Sequence, residues 1–390
     1  SSDRSPAWLN IVVEGSYTVI NNVTSYSGGN ASAIGIDSNK DLYISKGSYI
    51  LKVNKNDFTD TTAITPSSCT NCIATYSGYD ISAITFSDDD TMYFTDYGDD
   101  TVKRMNGDGS VTIIAGTAST SDQEDDASFK QPNGLTIDNS TGYIYVADYV
   151  NSRIVRIHKD DDNSVPLHIL AGVKGEDSLT NGTLSEARFY FPRNIAMAPD
   201  GNVIVAGYVD KSVRKIDLDN GTVSSILTGP SITGVAVDAN GNIFATTFDE
   251  HTVIKLTPDG NGSYTDSIIA GQINQEGPSG DNVDPLTAKL KGPIGINVDG
   301  SGNIYFSDDD GSTKVVRKIS YITTETKLEG TPSDPDIGDH SITVSLNDGN
   351  GGIATHNYTI TVANVNDLPI ITSVGNIPTV NEDVESITAN

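Results

Sequence analysis

Four aromatic residues stand just after runs of alternating apolar residues, as Asp96-Tyr97, Asp148-Tyr149, Gly207-Tyr208 and Thr247-Phe248. Flat rings beside carboxylates suit the recognition of a carbohydrate or a peptide, and packing within the surrounding structure is the competing reading. Asn133 and Arg193 each precede an apolar run and are candidates to face a ligand beside them. The pair Cys69-Thr-Asn-Cys72 has no second such pair and no nearby histidine, and it lies in a Ser/Thr-rich stretch. It is read as a small loop-closing disulfide, which fits an oxidising compartment. The acidic runs Asp88-Asp-Asp, Asp160-Asp-Asp and Asp308-Asp-Asp-Gly lack the spacing of an EF-hand and are read as solvated turns. No Gly-x-Ser-x-Gly elbow, His-Glu-x-x-His pair or phosphate loop is present. The five histidines, His158, His168, His251, His340 and His356, hold no recurring position. The chain is accordingly read as a binding protein, not an enzyme.

The chain has 390 residues, with 52 acidic against 24 basic side chains and a formal charge of -28. Such a chain is repelled by phosphate backbones and anionic lipid headgroups, so neither nucleic acid nor a membrane surface is an expected partner. No apolar run reaches the roughly 20 residues of a membrane-spanning helix. Hydrophobic residues make up 36%, enough for a core when Gly, Ser, Thr, Asn and Asp fill many turns.

The elements that position these residues recur. Each copy has an apolar-alternating run, an Asp or Asn with Gly, a second run, a polar turn and a third run. The clearest copy reads Gly134-Leu-Thr-Ile-Asp, Tyr143-Ile-Tyr-Val-Ala-Asp, Arg153-Ile-Val-Arg-Ile and His168-Ile-Leu-Ala-Gly. Other copies begin at Ala33, Ala83, Asn194, Gly234 and Gly295. Period-two alternation in four short runs predicts a four-stranded sheet per copy. One such sheet cannot bury both faces, and radial stacking solves this. Six copies predict six blades. The sixth lacks a fourth strand, and Ser16-Tyr-Thr-Val-Ile-Asn-Asn-Val, alone before the first copy, is expected to supply it and close the ring.

The repeat resembles NHL-repeat propellers. Pro132-Asn-Gly-Leu-Thr-Ile-Asp, Pro293-Ile-Gly-Ile-Asn-Val-Asp, the segment Tyr145 to Ile154, and Ile-Ala-Gly endings at Ile114 and Ile269 carry the resemblance. It implies a central channel where ligands bind. Since some propellers of this kind are lyases or calcium-dependent hydrolases, it also leaves a channel hydrolase or lyase as an alternative.

From about Thr326 the pattern changes. Gly330-Thr-Pro-Ser-Asp-Pro-Asp-Ile-Gly-Asp and Asn364-Val-Asn-Asp-Leu-Pro resemble the cadherin-like, immunoglobulin-like repeats of bacterial surface proteins. Pro6-Ala-Trp-Leu, before the propeller, is similar to an earlier segment of the same repeats. The expected fold is all-β, a six-bladed β-propeller plus an immunoglobulin/cadherin-like β-sandwich. The expected layout is residues 1–13 as the first part of a sandwich host, 14–320 as the propeller, and 321–367 as the rest of the host. Residues 368–390 are expected to be a linker and the start of a following repeat, or a donor strand. The resemblance implies Ca2+ at Asn366, Asp367, Glu382 and Asp383, with Asp336 and Asp348 as further candidates. It also implies an extracellular, cell-surface location. A surface recognition or adhesion module for a carbohydrate or protein ligand is the leading expectation. Head-to-tail self-association by strand donation into filaments is the alternative.

Overall fold

A computed structural model of the chain describes residues 9–26, 33–46, 49–53, 72–75, 80–107, 110–116, 128–277, 283–309, 314–330, 338–347, 353–362 and 386–389. The chain divides into two compact units, Tyr17–Ser320 and a second made of Ser1–Ser16 with Tyr321–Asn390.

The first unit is a six-bladed β-propeller. Strand β1 (Leu9–Tyr26) is followed by blade one, β2 (Ile34–Ile36), β3 (Leu42–Lys46), β4 (Tyr49–Val53) and β5 (Cys72–Thr75). Blade two is β6 (Ile81–Phe86), β7 (Met92–Asp96), β8 (Thr101–Met105) and β9 (Val111–Ala115). Blade three is β10 (Pro132–Asp138), β11 (Tyr143–Asp148), β12 (Arg153–His158) and β13 (His168–Gly172). A short β14 (Gly182–Thr183) precedes blade four, β15 (Pro192–Met197), β16 (Val203–Gly207), β17 (Ser212–Asp217) and β18 (Thr222–Thr228). Blade five is β19 (Ile232–Val237), β20 (Ile243–Thr247), β21 (Thr252–Pro258) and β22 (Tyr264–Gly271). Blade six is β23 (Ile296–Val298), β24 (Ile304–Asp309) and β25 (Lys314–Gly330).

Each blade is an antiparallel meander whose first strand is innermost. Blade four is a five-stranded sheet because β14 pairs with β18 at its outer edge. The sixth blade has the order β1-β25-β24-β23, so the N-terminal strand supplies its outer edge, as the missing fourth run predicted. Tyr17 of β1 meets Phe244 edge-on at 6.2 Å, which ties the closing strand to the core.

Burial explains why the ring holds. Six apolar clusters fill the six seams between neighbouring blades. The seam that closes the circle packs Ile34, Leu42 and Ile44 of blade one on Tyr305 and Val316 of blade six. Side chains such as Phe244, Phe306 and Ile44 are fully buried, each contributing roughly 1.5–3 kcal/mol by leaving water. Near the axis the backbones come very close. A Cβ on Gly134 would lie 2.6 Å from the Asn194 Cα, and one on Gly234 would lie 2.3 Å from the Ile294 carbonyl oxygen. Only glycine fits there. The inner strands enclose an axial channel of about 160 Å³, faced by Thr85, Thr136, Asn194 and Asn297 among alanines and larger aliphatic residues.

Much of the acidity builds hairpin turns. Asp238 accepts the N–H groups of Asn240 and Asn242 at 2.9 Å, and Asp299 accepts those of Ser301 and Asn303. These are Asx turns, in which the carboxylate stands in for a backbone acceptor.

In the second unit, β26 (Gly338–Asn347), β27 (Ile353–Val362) and β28 (Ser386–Ala389) form an antiparallel sheet of order β27-β26-β28. That sheet is not by itself a sandwich.

Candidate functional site

The inner strands all begin on one face of the propeller, the upper face. The register pairs Ile81 with Asp96, Pro132 with Asp148, Pro192 with Gly207 and Ile232 with Thr247, so the turn after each second strand lies on that face too. Tyr97, Tyr149, Tyr208 and Phe248 occupy the first position of those turns in four consecutive blades, and all are half-buried.

All four of them reach the following blade. The Tyr97 hydroxyl donates to Gln131 Oε1 at 2.7 Å, Tyr149 stacks on Phe191 at 5.0 Å, and Phe248 packs where a Cβ on Gly292 would stand. Tyr208 meets Phe248 edge-on at 6.1 Å, linking blades four and five. The aromatics therefore serve as packing between blades while leaving part of each ring open to the upper face. Gln131 and Phe191 have φ of 54° and 52°, the left-handed region, just before the prolines that open β10 and β15. Sequence periodicity gave no sign of them, because a left-handed non-glycine residue has no periodic signature.

Four of the six inner strands slip register immediately after their first residue, a bulge that falls at Ser82, at Asn133 with Gly134, at Arg193 and at Thr233. A bulge re-aims the side chain it carries. In blades two and five the bulge residue is a hydroxyl that ties one blade to the next. Ser82 donates to the Pro132 carbonyl at 2.9 Å, and Thr95 donates to that of Asn133 at 2.6 Å. Thr233 and Thr246 repeat the pattern on Pro293 and Ile294 at 2.8 and 2.6 Å. Blades three and four depart from it, carrying Asn133 and Arg193 at the bulge with Ala147 and Ala206 opposite.

Arg193 sits among the tyrosines. Its guanidinium carbon is 5.3 Å from the centre of the Tyr208 ring, a cation–π contact. Burial pulls its pKa below the ordinary arginine value, opposed by Tyr149, Tyr208 and Tyr97.

The carboxylates expected beside the rings are elsewhere. Asp96 and Asp148 end β7 and β11 and are fully buried. Asp96 is held by Lys103 at 2.5 Å and Asp148 by Arg153 at 2.7 Å, with essentially no exposure on either partner. Asp308, read as a solvated turn, instead lies inside β24, paired with Arg317 at 2.9 Å. Its other oxygen accepts the N–H groups of Lys291 and Gly292. The error has a simple cause: an acidic run signals solvent only when the strand ends before it. Burial raises the Asp148 and Asp308 carboxyls above the usual range, and their arginines oppose the rise. In blade four Gly207 replaces the aspartate, and Asp210 fills the vacated space 1.6 Å from where a Cβ would be.

His158 and His168 lie on the third and fourth strands of blade three, and His251 lies in the turn before β21, so the propeller histidines do not converge. No cluster of three metal-ligating side chains occurs among the described residues. Asp336, Asp348, Asn366, Asp367, Glu382 and Asp383 lie outside the described residues, as does Cys69. Cys72 lies in β5 without a described side chain, so the disulfide expectation also falls outside.

A family model described as NHL repeat matches residues 129–157, which span β10, β11 and nearly all of β12. Among solved structures, a Bacteroides thetaiotaomicron protein of unknown function is similar at 15% identity and a TM-score of 0.57, over 80% of this chain and 76% of that one. An auxiliary nutrient binding protein from the same organism is similar at 12% identity and a TM-score of 0.53, over 80% and 77%. A gluconolactonase from Xanthomonas campestris is similar at 11% identity and a TM-score of 0.52, over 77% and 89%. At these identities the likeness is one of fold. No curated protein matches the sequence.

Proposed function

We propose that the propeller is a recognition platform that binds a carbohydrate or protein ligand on its upper face. The observation that carries this reading is the gathering of half-buried Tyr97, Tyr149, Tyr208 and Phe248 around Arg193. Open aromatic faces supply large contact area at low entropic cost. The channel lining of threonine, asparagine and aliphatic residues supports binding over turnover. The cell surface is the proposed location, and the proposed stalk is a cadherin-like sandwich built from both ends of the chain. Its proposed calcium ligands are Asn366, Asp367, Glu382 and Asp383. Binding of the full chain to glycan and peptide arrays tests the reading. Tyr149→Ala and Tyr208→Ala should each weaken the strongest hit about tenfold, within the usual range for an interface aromatic. Hits indifferent to both substitutions would move the site off this face.

A second reading, head-to-tail assembly, is favoured by one observation. The strand β28 pairs antiparallel with β26, Val344 opposite Ala389 through Asn347 opposite Ser386. An edge that accepts this segment from its own chain offers the same backbone groups to a copy. Electron microscopy should then show filaments in calcium buffer that are lost when residues 368–390 are removed, and uniform single particles in both samples would end this reading.

A further inference from the structure

Every fully buried cation of the propeller among the described residues has a polar partner, Arg214 through the carbonyls of Arg188 and Thr180 and through Asn181 Oδ1 and the others through a carboxylate, whereas half-buried Arg193 has none. Lys103, Arg153 and Arg317 each hold a carboxylate of their own blade within 2.9 Å. Arg193, half-buried among aromatic rings, makes neither an ion pair nor a hydrogen bond among the described residues. The chain has 52 acidic side chains, so a partner was not scarce. Even partial desolvation of a charge is costly without a counter-ion. The bulge positions of the other three bulged blades carry Ser82, Asn133 and Thr233, all neutral.

We propose that Arg193 is the anion-binding centre of the upper face, and that its ligand is a saccharide bearing a single carboxylate, a uronic acid unit in an otherwise neutral glycan. This rests on the upper face being the binding site. The planar guanidinium offers two parallel N–H donors that match a carboxylate. A phosphate carries close to two charges, and in the field of a chain at -28 the second is left uncompensated. The same field disfavours polyanions. The open faces of Tyr149 and Tyr208 suit the C–H face of a sugar ring. The Asn133 amide, in the equivalent position one blade earlier and without a hydrogen bond among the described residues, can serve its hydroxyls.

Isothermal titration of the full chain with methyl glucuronide, methyl glucoside, inorganic phosphate and a short neutral peptide with a free C-terminal carboxylate tests this. The glucuronide should bind at least about tenfold more tightly than the glucoside, the scale of one charge-assisted bond. Arg193→Gln should erase that difference and leave both sugars at the glucoside's level. Arg193→Lys, which keeps the charge but not the fork, should retain only part of it. Failure of both sugars to bind, a preference that survives Arg193→Gln, or tighter binding of phosphate or of the peptide would overturn the assignment. Equal binding of the two sugars also overturns it, while leaving the recognition role of the face standing.

Discussion

Arg193 and Arg317 carry the same charge, but Arg193 is half-buried, whereas Arg317 is fully buried and has a carboxylate beside it. Arg317 is paired with Asp308, whose second oxygen caps the N–H groups of Lys291 and Gly292 just before the sixth inner strand. Removing one partner of such a pair leaves the other buried and charged, which costs about 3–5 kcal/mol. Arg317→Met should therefore lower the urea midpoint sharply, and the double variant with Asp308→Asn should recover part of the loss. The pH dependence follows from sign. Burial already raises the Asp308 carboxyl, and Arg317 is the group that opposes the rise. In Arg317→Met the folded-state pKa climbs further above its unfolded value. The folded state then favours the protonated form, so stability is present at low pH and lost as pH rises through the folded value. The gap between variant and native midpoints should narrow as the buffer is taken from pH 7 towards pH 4, and a gap constant over that range would contradict this account of the pair.

At the scale of elements, the strands were legible because alternation is a property of a few adjacent residues. Tyr143-Ile-Tyr-Val-Ala-Asp and Gly134-Leu-Thr-Ile-Asp show it plainly, and both became strands of blade three. The closing role of β1 was legible by subtraction, since the sixth copy lacked a fourth run. Three features were hidden for physical reasons. The bulges at Ser82, Asn133, Arg193 and Thr233 follow a single strand residue, too few for the phase shift to show in the alternation. The pairing of Asp96 with Lys103 and of Asp148 with Arg153 depends on which side of a strand end is dry, which local sequence does not encode. β14 is two residues long, too short for any period. Around the site, Tyr97, Tyr149, Tyr208 and Phe248 stood out because they repeat, whereas Gln131 and Phe191, which receive two of them, do not.

At the scale of the molecule, a propeller has no single core, only seams that must close in a circle. Five seams join blades adjacent in sequence, and the sixth joins blade six to blade one. The last blade depends in addition on β1, from the other end of the chain, for its outer edge. Without β1, the outer edge of β25 presents unpaired backbone groups, a template for aggregation. The cluster around Phe244, Phe306 and Ile319 also loses the cover of Tyr17. A propeller of residues 17–320 contains every seam and its closing strand, and should unfold in one cooperative transition. Starting the same protein at residue 27 removes only the closing strand, yet it should lower the melting temperature by about 10 °C or more. Several kcal/mol of lost burial and pairing, at about 2–4 °C per kcal/mol for a domain of this order, gives that figure. Calorimetry of the two proteins side by side decides the matter. Equal melting temperatures would mean that the apolar seams alone hold the ring and that β1 merely decorates it.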